Sequence, residues 1–456
     1  MCDDNVQSHT NKDLGGNTMG RSKEELKKAA CEAIDRNRDK IIALGDAIFA
    51  EPELGYKEFK TAAKYQAFLD ELGFEHQDGV AITGVISTHK GKESKMKVAL
   101  MGELDAVIIK EHPCADPITG AAHACGHNCM IASIAGAAVA IKEANLMEDL
   151  CGDIALMAVP SEEFVELEYR NQLREEGKIT FLGGKQEFIK LGAMDGVDAM
   201  VMQHTMASDG QELKANAGGP SNGFVGKLVQ YVGKEAHAGG APHKGVNALN
   251  AAELGMMAIH ANRETFRDED HIRVHPIITK GGDLVNTVPA DVRIETYVRG
   301  SNVEAILDAS MKVNRSFQAG AYAVGAECKI TELPGYLPVI PQKEMAEVMY
   351  ENLCGLLGKE HVAALDGENG GSTDAGDISH LIPTVHGYVG GAKGGFHCAD
   401  FELVDKDLAY LTAAKALIMT AIDLLADGAE KGLEIKKNFK PVMTKEQYLK
   451  DWGHME

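Results

Sequence analysis

The chain lacks any apolar stretch near its start that reads as the core of a signal peptide, and no hydrophobic run of transmembrane length is apparent. It is short of basic residues. Its 46 lysines and arginines stand against 68 aspartates and glutamates, a formal charge of -22. That balance argues against nucleic acid and against an anionic membrane as partners, and leaves the charge of a small substrate open, because a site can be locally basic. A disulfide framework is also missing. The nine cysteines are odd in number and irregularly spaced, which fits reduced thiols and a cytoplasmic location. There is one tryptophan, no internal repeat and no low-complexity segment. What remains is a globular composition, 45% apolar and 25% charged, over 456 residues. That is too long for one ordinary core, so two domains are expected. Residues 1–20 are polar and glycine-rich and are expected to be disordered.

Ser22, followed by Glu24 and Glu25, opens a helical pattern that runs to about Ala50, and a second helix is expected over roughly Glu58–Leu72, stopping at Gly73. "KVALMGELD" (97–105), "GDIALMAVP" (152–160) and "DAMVMQHT" (198–205) are short apolar runs bounded by breakers and read as buried strands. A small-residue helix follows His127. Strands alternating with helices predict an α/β fold with a mainly parallel sheet covered on both faces. From Gly218 the order changes to β-α-β-β-α-β, that of a ferredoxin-like sandwich. The expected organisation is therefore an α/β domain over 21–217, an inserted α+β domain over 218–333, and a return to the first domain, with a C-terminal tail, over 334–456.

Ligands of open α/β sheets collect at the carboxyl ends of strands. Three of the predicted strands end there in residues that a metal uses: Glu103 and Asp105, Glu162 and Glu163 after Pro160, and His204. Cys125 and His127 lie on a loop before a helix, and His397 lies in the glycine-rich "GGAKGGFHCADFE". Taken singly, Cys125 reads as a small buried residue and the acidic pair as a solvated face. Their placement at one end of one sheet points to a metal site.

"PELGYKE", "ELDAV", "HACGHN", "VPSEE", "MQHT", "KEAHAGGAPH", "VNTVPA" and "GFHCADFE" occur in this order between about Ser22 and Leu424. In them the chain resembles the amidohydrolase branch of the aminoacylase and carboxypeptidase-G family of dinuclear metallopeptidases. That branch holds aminobenzoyl-glutamate hydrolases, β-alanyl-lysine-type dipeptidases and indole-acetyl-amino-acid hydrolases. The resemblance implies a zinc-peptidase-like catalytic domain with an inserted dimerisation domain. It implies Cys125, His127, Glu163, His204 and His397 as ligands of two divalent ions bridged by the thiolate. Zinc suits this set, and manganese, cobalt or nickel remain open. It implies Asp105 as a carboxylate orienting a ligand, and Glu162 as the general base that moves a proton from water to the leaving amine. It further implies that His237, from the inserted domain of a neighbouring subunit, stabilises the oxyanion, with Asn286 nearby. Arg299 closes the strand "RIETYVR" and is a candidate for pairing with a substrate carboxylate, or equally a surface arginine.

The pattern departs from that branch in places. Asn128 stands where aspartate is common and Ser161 where alanine is. "HAGGAPH" carries an extra residue, and the stretch after Glu163, "VELEYRNQLREEGKITFLGGKQEF", is long and charged. These changes leave the metal chemistry standing and bear on the substrate, the charged stretch by its expected place near the pocket mouth. The reading is a metal-dependent amidohydrolase, homodimeric through the inserted domain. Its alternatives are a dipeptidase requiring a free amine and, from another class, a non-catalytic metal-binding scaffold. The spare glutamate beside a ligand favours the enzyme, since structural zinc sites are closed.

Overall fold

The computed structural model describes residues 20–208, 210, 212–363 and 370–453. The expectation of disorder over residues 1–20 lies, but for Gly20, outside the described residues. The first helix starts where a capping box predicts: Ser22 Oγ accepts from Glu25 N at 3.3 Å, and Glu25 Oε2 accepts from Ser22 N at 2.8 Å. It does not run on to Ala50. Asn37 Nδ2 donates back to Ala33 O at 3.0 Å and ends it, so the stretch is two helices, Lys23–Arg36 and Arg38–Phe49.

The central sheet runs, in spatial order, through Gln77–Val80, Gly84–His89, Asp153–Val159, Lys97–Glu103, Ala199–Ala207, Thr384–Lys393, Ala215–Asn216 and Val362–Ala363, with Glu402–Leu403 paired to Thr384–Lys393. The four middle strands, from Asp153–Val159 to Thr384–Lys393, are mutually parallel. Strands there are buried along nearly their whole length, with apolar middles, because both faces are covered. The strand at Ala199 extends two residues beyond the predicted end at Thr205, so His204, opposite Tyr388, stands further inside it than expected.

The helix His127–Glu143 is buried over nearly its full length. It packs on Lys97–Glu103, on both N-terminal helices and on Ala413–Leu425. Small side chains permit this: a Cβ on Gly136 would come within 2.6 Å of Ala414 Cβ. The 19-residue helical stretch Asp407–Leu425 is, by length and composition, apolar enough to cross a membrane, contrary to the sequence reading; 78% of it is buried inside the protein, as a core helix is. The expected C-terminal tail is itself helical. Helices Glu430–Asn438 and Lys445–Asp451 follow, with Tyr448 and Trp452 buried.

Residues 223–333 form a second, antiparallel sheet, with Gly223–Val232 between Asp291–Gly300 and Glu327–Leu333. Helices Ala248–Asn262 and Val303–Val324 pack on it. One strand of the expected β-α-β-β-α-β order, in "HIRVHPIIT" (271–279), is broken around Pro276 into Arg273–Val274 and Ile277–Lys280, both paired to Asp291–Gly300.

Overpacking a close helix contact typically costs about 1–3 kcal/mol. Gly136→Val should therefore lower the denaturant midpoint by that order at unchanged slope, as urea unfolding followed by circular dichroism would register.

Candidate metal centre

Five elements bring the site together at the carboxyl ends of the parallel strands. Lys97–Glu103 delivers Glu103 and, two residues on, Asp105; Asp153–Val159 leads to Glu162 and Glu163; Ala199–Ala207 carries His204. Cys125 and His127 flank Gly126, whose φ of 85° is left-handed and where a Cβ would lie 2.9 Å from Thr205 Cβ. Glycine is needed there on both counts. His397 sits in the turn after Thr384–Lys393, itself at φ 56°, with its N–H donated to Ala124 O at 3.0 Å. Such strain in a non-glycine residue recurs at Ser161, φ 57°, beside Glu162. Glu58 holds that loop: its Oε1 accepts from Ser161 N, and its Oε2 from the Thr83 hydroxyl, both at 2.7 Å.

Among the described residues, three groups of side chains are close enough to share a cation: Cys125, His127 and His204; Cys125, Glu163 and His397; and Glu103, His127 and Glu162. The thiol belongs to two of them. Cys125 Sγ lies 3.5 Å from His204 Nε2, and His397 Nε2 lies 2.9 Å from Glu163 Oε1. Both inner imidazoles are oriented from behind. His127 Nδ1 faces the carbonyl and Oδ1 of Asp105 at 2.9 and 3.2 Å, and His204 Nδ1 faces Thr205 O at 2.7 Å. Oxygen acceptors require the proton on Nδ1, so each ring turns the lone pair of Nε2 into the cluster. His127 Nε2 and Glu103 Oε2 are buried with no hydrogen-bond partner. A thiol, imidazoles and carboxylates with lone pairs left open fit divalent cations.

Asp105 is fully buried. Its Oδ2 accepts from Glu163 N at 2.9 Å while Oδ1 faces His127, so one carboxylate spans two groups. Burial pushes the Cys125 thiol up, but when His127 and His204 take up a second proton on Nε2 their positive charge more than reverses this and brings it down to about 6. Burial, with the Glu103 and Glu163 carboxylates, pushes Glu162 well above the ordinary carboxylate range.

The cluster opens into a cavity of about 440 Å³. One wall is aromatic, with Phe164, Phe224, Tyr297 and Tyr336 in mutual edge and tilted contact. Arg299 lines it too. Its guanidinium lies over the rings of Phe224 and Tyr297 and donates to Ser372 Oγ at 3.0 Å, while Nε is buried without a partner. It is not a surface arginine. The charged stretch after Glu163 contributes only Phe164 and Val165 to the lining. The rest folds into helices Leu167–Glu175 and Gly184–Leu191, with Arg170 fully buried. His237 and Asn286 are exposed and absent from the lining; the chain on its own does not bring them to the cluster. Sequence reasoning missed Lys185 and Asp374, buried beside Glu103, and Tyr336, whose hydroxyl donates to Glu162 O.

Residues 99–421 match the model of Peptidase family M20/M25/M40. The Xaa-Arg dipeptidase of Mus musculus is 29% identical over 456 residues, spanning 95% of this chain and 96% of that one. The N-acetyl-L-cysteine deacetylase of Bacillus subtilis is 28% identical over 290 residues, 62% of this chain and 64% of that one. A crystal structure of a dinuclear metal binding peptidase of the M20 family from Bacillus subtilis superposes with a TM-score of 0.63 at 22% identity, covering 86% of this chain and 99% of that one, a likeness of fold. With the family model matching well over half its length, this chain belongs to peptidase family M20/M25/M40.

Proposed function

We propose that this hydrolase cleaves the amide bond of an N-acyl amino acid, using two divalent ions held by Cys125, His127, Glu163, His204 and His397. The observation that carries the reading is the thiol shared by two ligand groups, with Glu162 buried alongside. Two groupings of donors sharing one thiol exceed what a single closed structural site uses. When bound, the ions would polarise the amide carbonyl and acidify a water. Glu162, whose surroundings raise its affinity for a proton, acts from its ionised form, taking a proton from the attacking water and passing it to the leaving amine. Tyr336 fixes the backbone of that base. Asp105 keeps His127 and Glu163 in register. Arg299, which lines the cavity with its Nε–H unused, pairs with the carboxylate of the amino acid.

A dipeptidase is the second reading, favoured by full-length likeness to the mouse enzyme. Against it, the acidic side chains lining the cavity are Glu162 and Glu163, both committed to the cluster, which leaves no carboxylate in this lining for a free α-amine. Screening the metal-loaded protein against N-acyl amino acids, aminobenzoyl-glutamate and dipeptides, with amine release as readout, decides between them. N-acyl substrates should be turned over without a free amine; hydrolysis confined to free dipeptides would reverse the assignment.

Two variants test the division of labour. Glu162→Gln should keep its metal by elemental analysis and lose about 10²–10⁴-fold in kcat. Cys125→Ala should bind fewer metal equivalents than the wild type.

His237 is proposed to act in trans across a homodimer formed through the second sheet and its helices. Supporting this are its exposure and that of Asn286 and of nearby Leu284, Val285 and Ile277. Glu162→Ala and His237→Ala proteins should each be nearly inactive. In a mixed dimer one site is complete, so random exchange should restore roughly a quarter of wild-type activity by two-fold counting. Verified mixed dimers without recovery would exclude the trans role.

A further inference from the structure

Glu103 is 1% exposed and Lys185 fully buried. Lys185 Nζ lies 2.5 Å from Glu103 Oε1 and 2.5 Å from Asp374 Oδ1, and its backbone N–H donates to Asp374 Oδ2 at 2.8 Å. One ammonium thus serves two buried carboxylates, which leaves negative charge uncompensated in a place where water does not reach it. The ammonium also fixes which way Glu103 points. Oε1 is spent on Lys185, and Oε2 faces His127 Nε2 at 3.1 Å without a hydrogen bond between them. A carboxylate oxygen and an imidazole nitrogen buried side by side with both lone pairs open is a costly arrangement unless something sits between them. The spacing suits a metal cation. Two ligand atoms each about 2.1 Å from one cation lie roughly 3.0–3.4 Å apart at octahedral to tetrahedral angles. Hydrogen bonding to Asp105 commits the other nitrogen of His127, so Nε2 is its ligating atom.

We propose that Glu103 is a further ligand of the ion that His127 holds, aimed through its second oxygen by the Glu103–Lys185–Asp374 ion triad. This rests on the reading of the cluster as a metal site. It adds a carboxylate to the donor set read from the sequence and makes the two ions unequal. An ion next to His127 would be enclosed by the buried floor of the site, and one next to Glu163 and His397 would face the cavity, since His397 is half-exposed. Exchange with solvent should then be slow at the first and fast at the second.

The test uses the full chain loaded with cobalt(II) and titrated with a chelator, with retained metal followed by elemental analysis and the thiolate-to-cobalt absorption recorded alongside. The wild type should retain two equivalents and release them in two steps. Glu103→Gln should release its tighter equivalent at about 10-fold lower chelator or less, the range seen when even an outer partner of a ligand is lost. Its thiolate absorption should persist at low chelator, because Cys125 still holds an ion. Circular dichroism establishes that the variant is folded. If Gln at this position prevents folding, Glu103→Asp keeps the charge, shortens the reach by one methylene, and should weaken the same step. A folded variant that releases both ions at wild-type chelator concentrations overturns the proposal. A wild type that retains no cobalt overturns the metal reading beneath it, and the two failures are told apart by that control.

Discussion

The carboxylate of Asp105 is the constraint on which the site depends. One oxygen faces the His127 ring and the other accepts the N–H of Glu163, so two residues from separate loops are set by a single buried group. Asp105 is buried and both its oxygens are used, so it has little freedom to choose another partner. The parallel sheet supplies the coarse placement by ending neighbouring strands at one level. Asp105 supplies the fine placement that chelation requires, since ligand atoms off by an ångström no longer share an ion.

The balance of buried charge follows the same logic. Beneath the cavity, Glu103, Lys185 and Asp374 form a dry ionic layer; above it, Glu162 and Glu163 sit side by side. Carboxylates outnumber cationic side chains in this interior, and such an excess is tolerable only if partners of positive charge are bound or protons are taken up. The protein stability contributed by this region is thus tied to what occupies it.

Much of this was legible from residues alone, because ligand-type side chains followed apolar runs at breaker residues, and strand ends of a parallel sheet converge. Glu162 and Glu163 after Pro160 are the plainest instance. The misses have physical causes. Lys185 reads as part of a charged, solvated stretch, and only three-dimensional packing reveals an ammonium sealed between two acids. The break at Asn37 hides inside an uninterrupted helical periodicity, because it depends on a side-chain hydrogen bond to Ala33. The strand through His204 runs longer than its apolar core, since Thr205 and Ala207 continue the ladder beside Val389 and Ala392. Helix Asp407–Leu425 fills the interior with a composition that also suits lipid, and apolar content does not distinguish the two surroundings.

The lone tryptophan is placed where it is informative. Trp452 is 5% exposed, and its indole N–H donates to Gly335 O at 2.7 Å, an oxygen that Gln186 shares. The next residue, Tyr336, holds the carbonyl of Glu162, and the segment leads out of the last strand of the second sheet. Indole emission from this protein therefore has a single origin, on the link between the two sheets and one residue from the group that grips the base. Any shift of that link changes the polarity around one fluorophore, so the molecule carries its own optical gauge of how its two halves sit together.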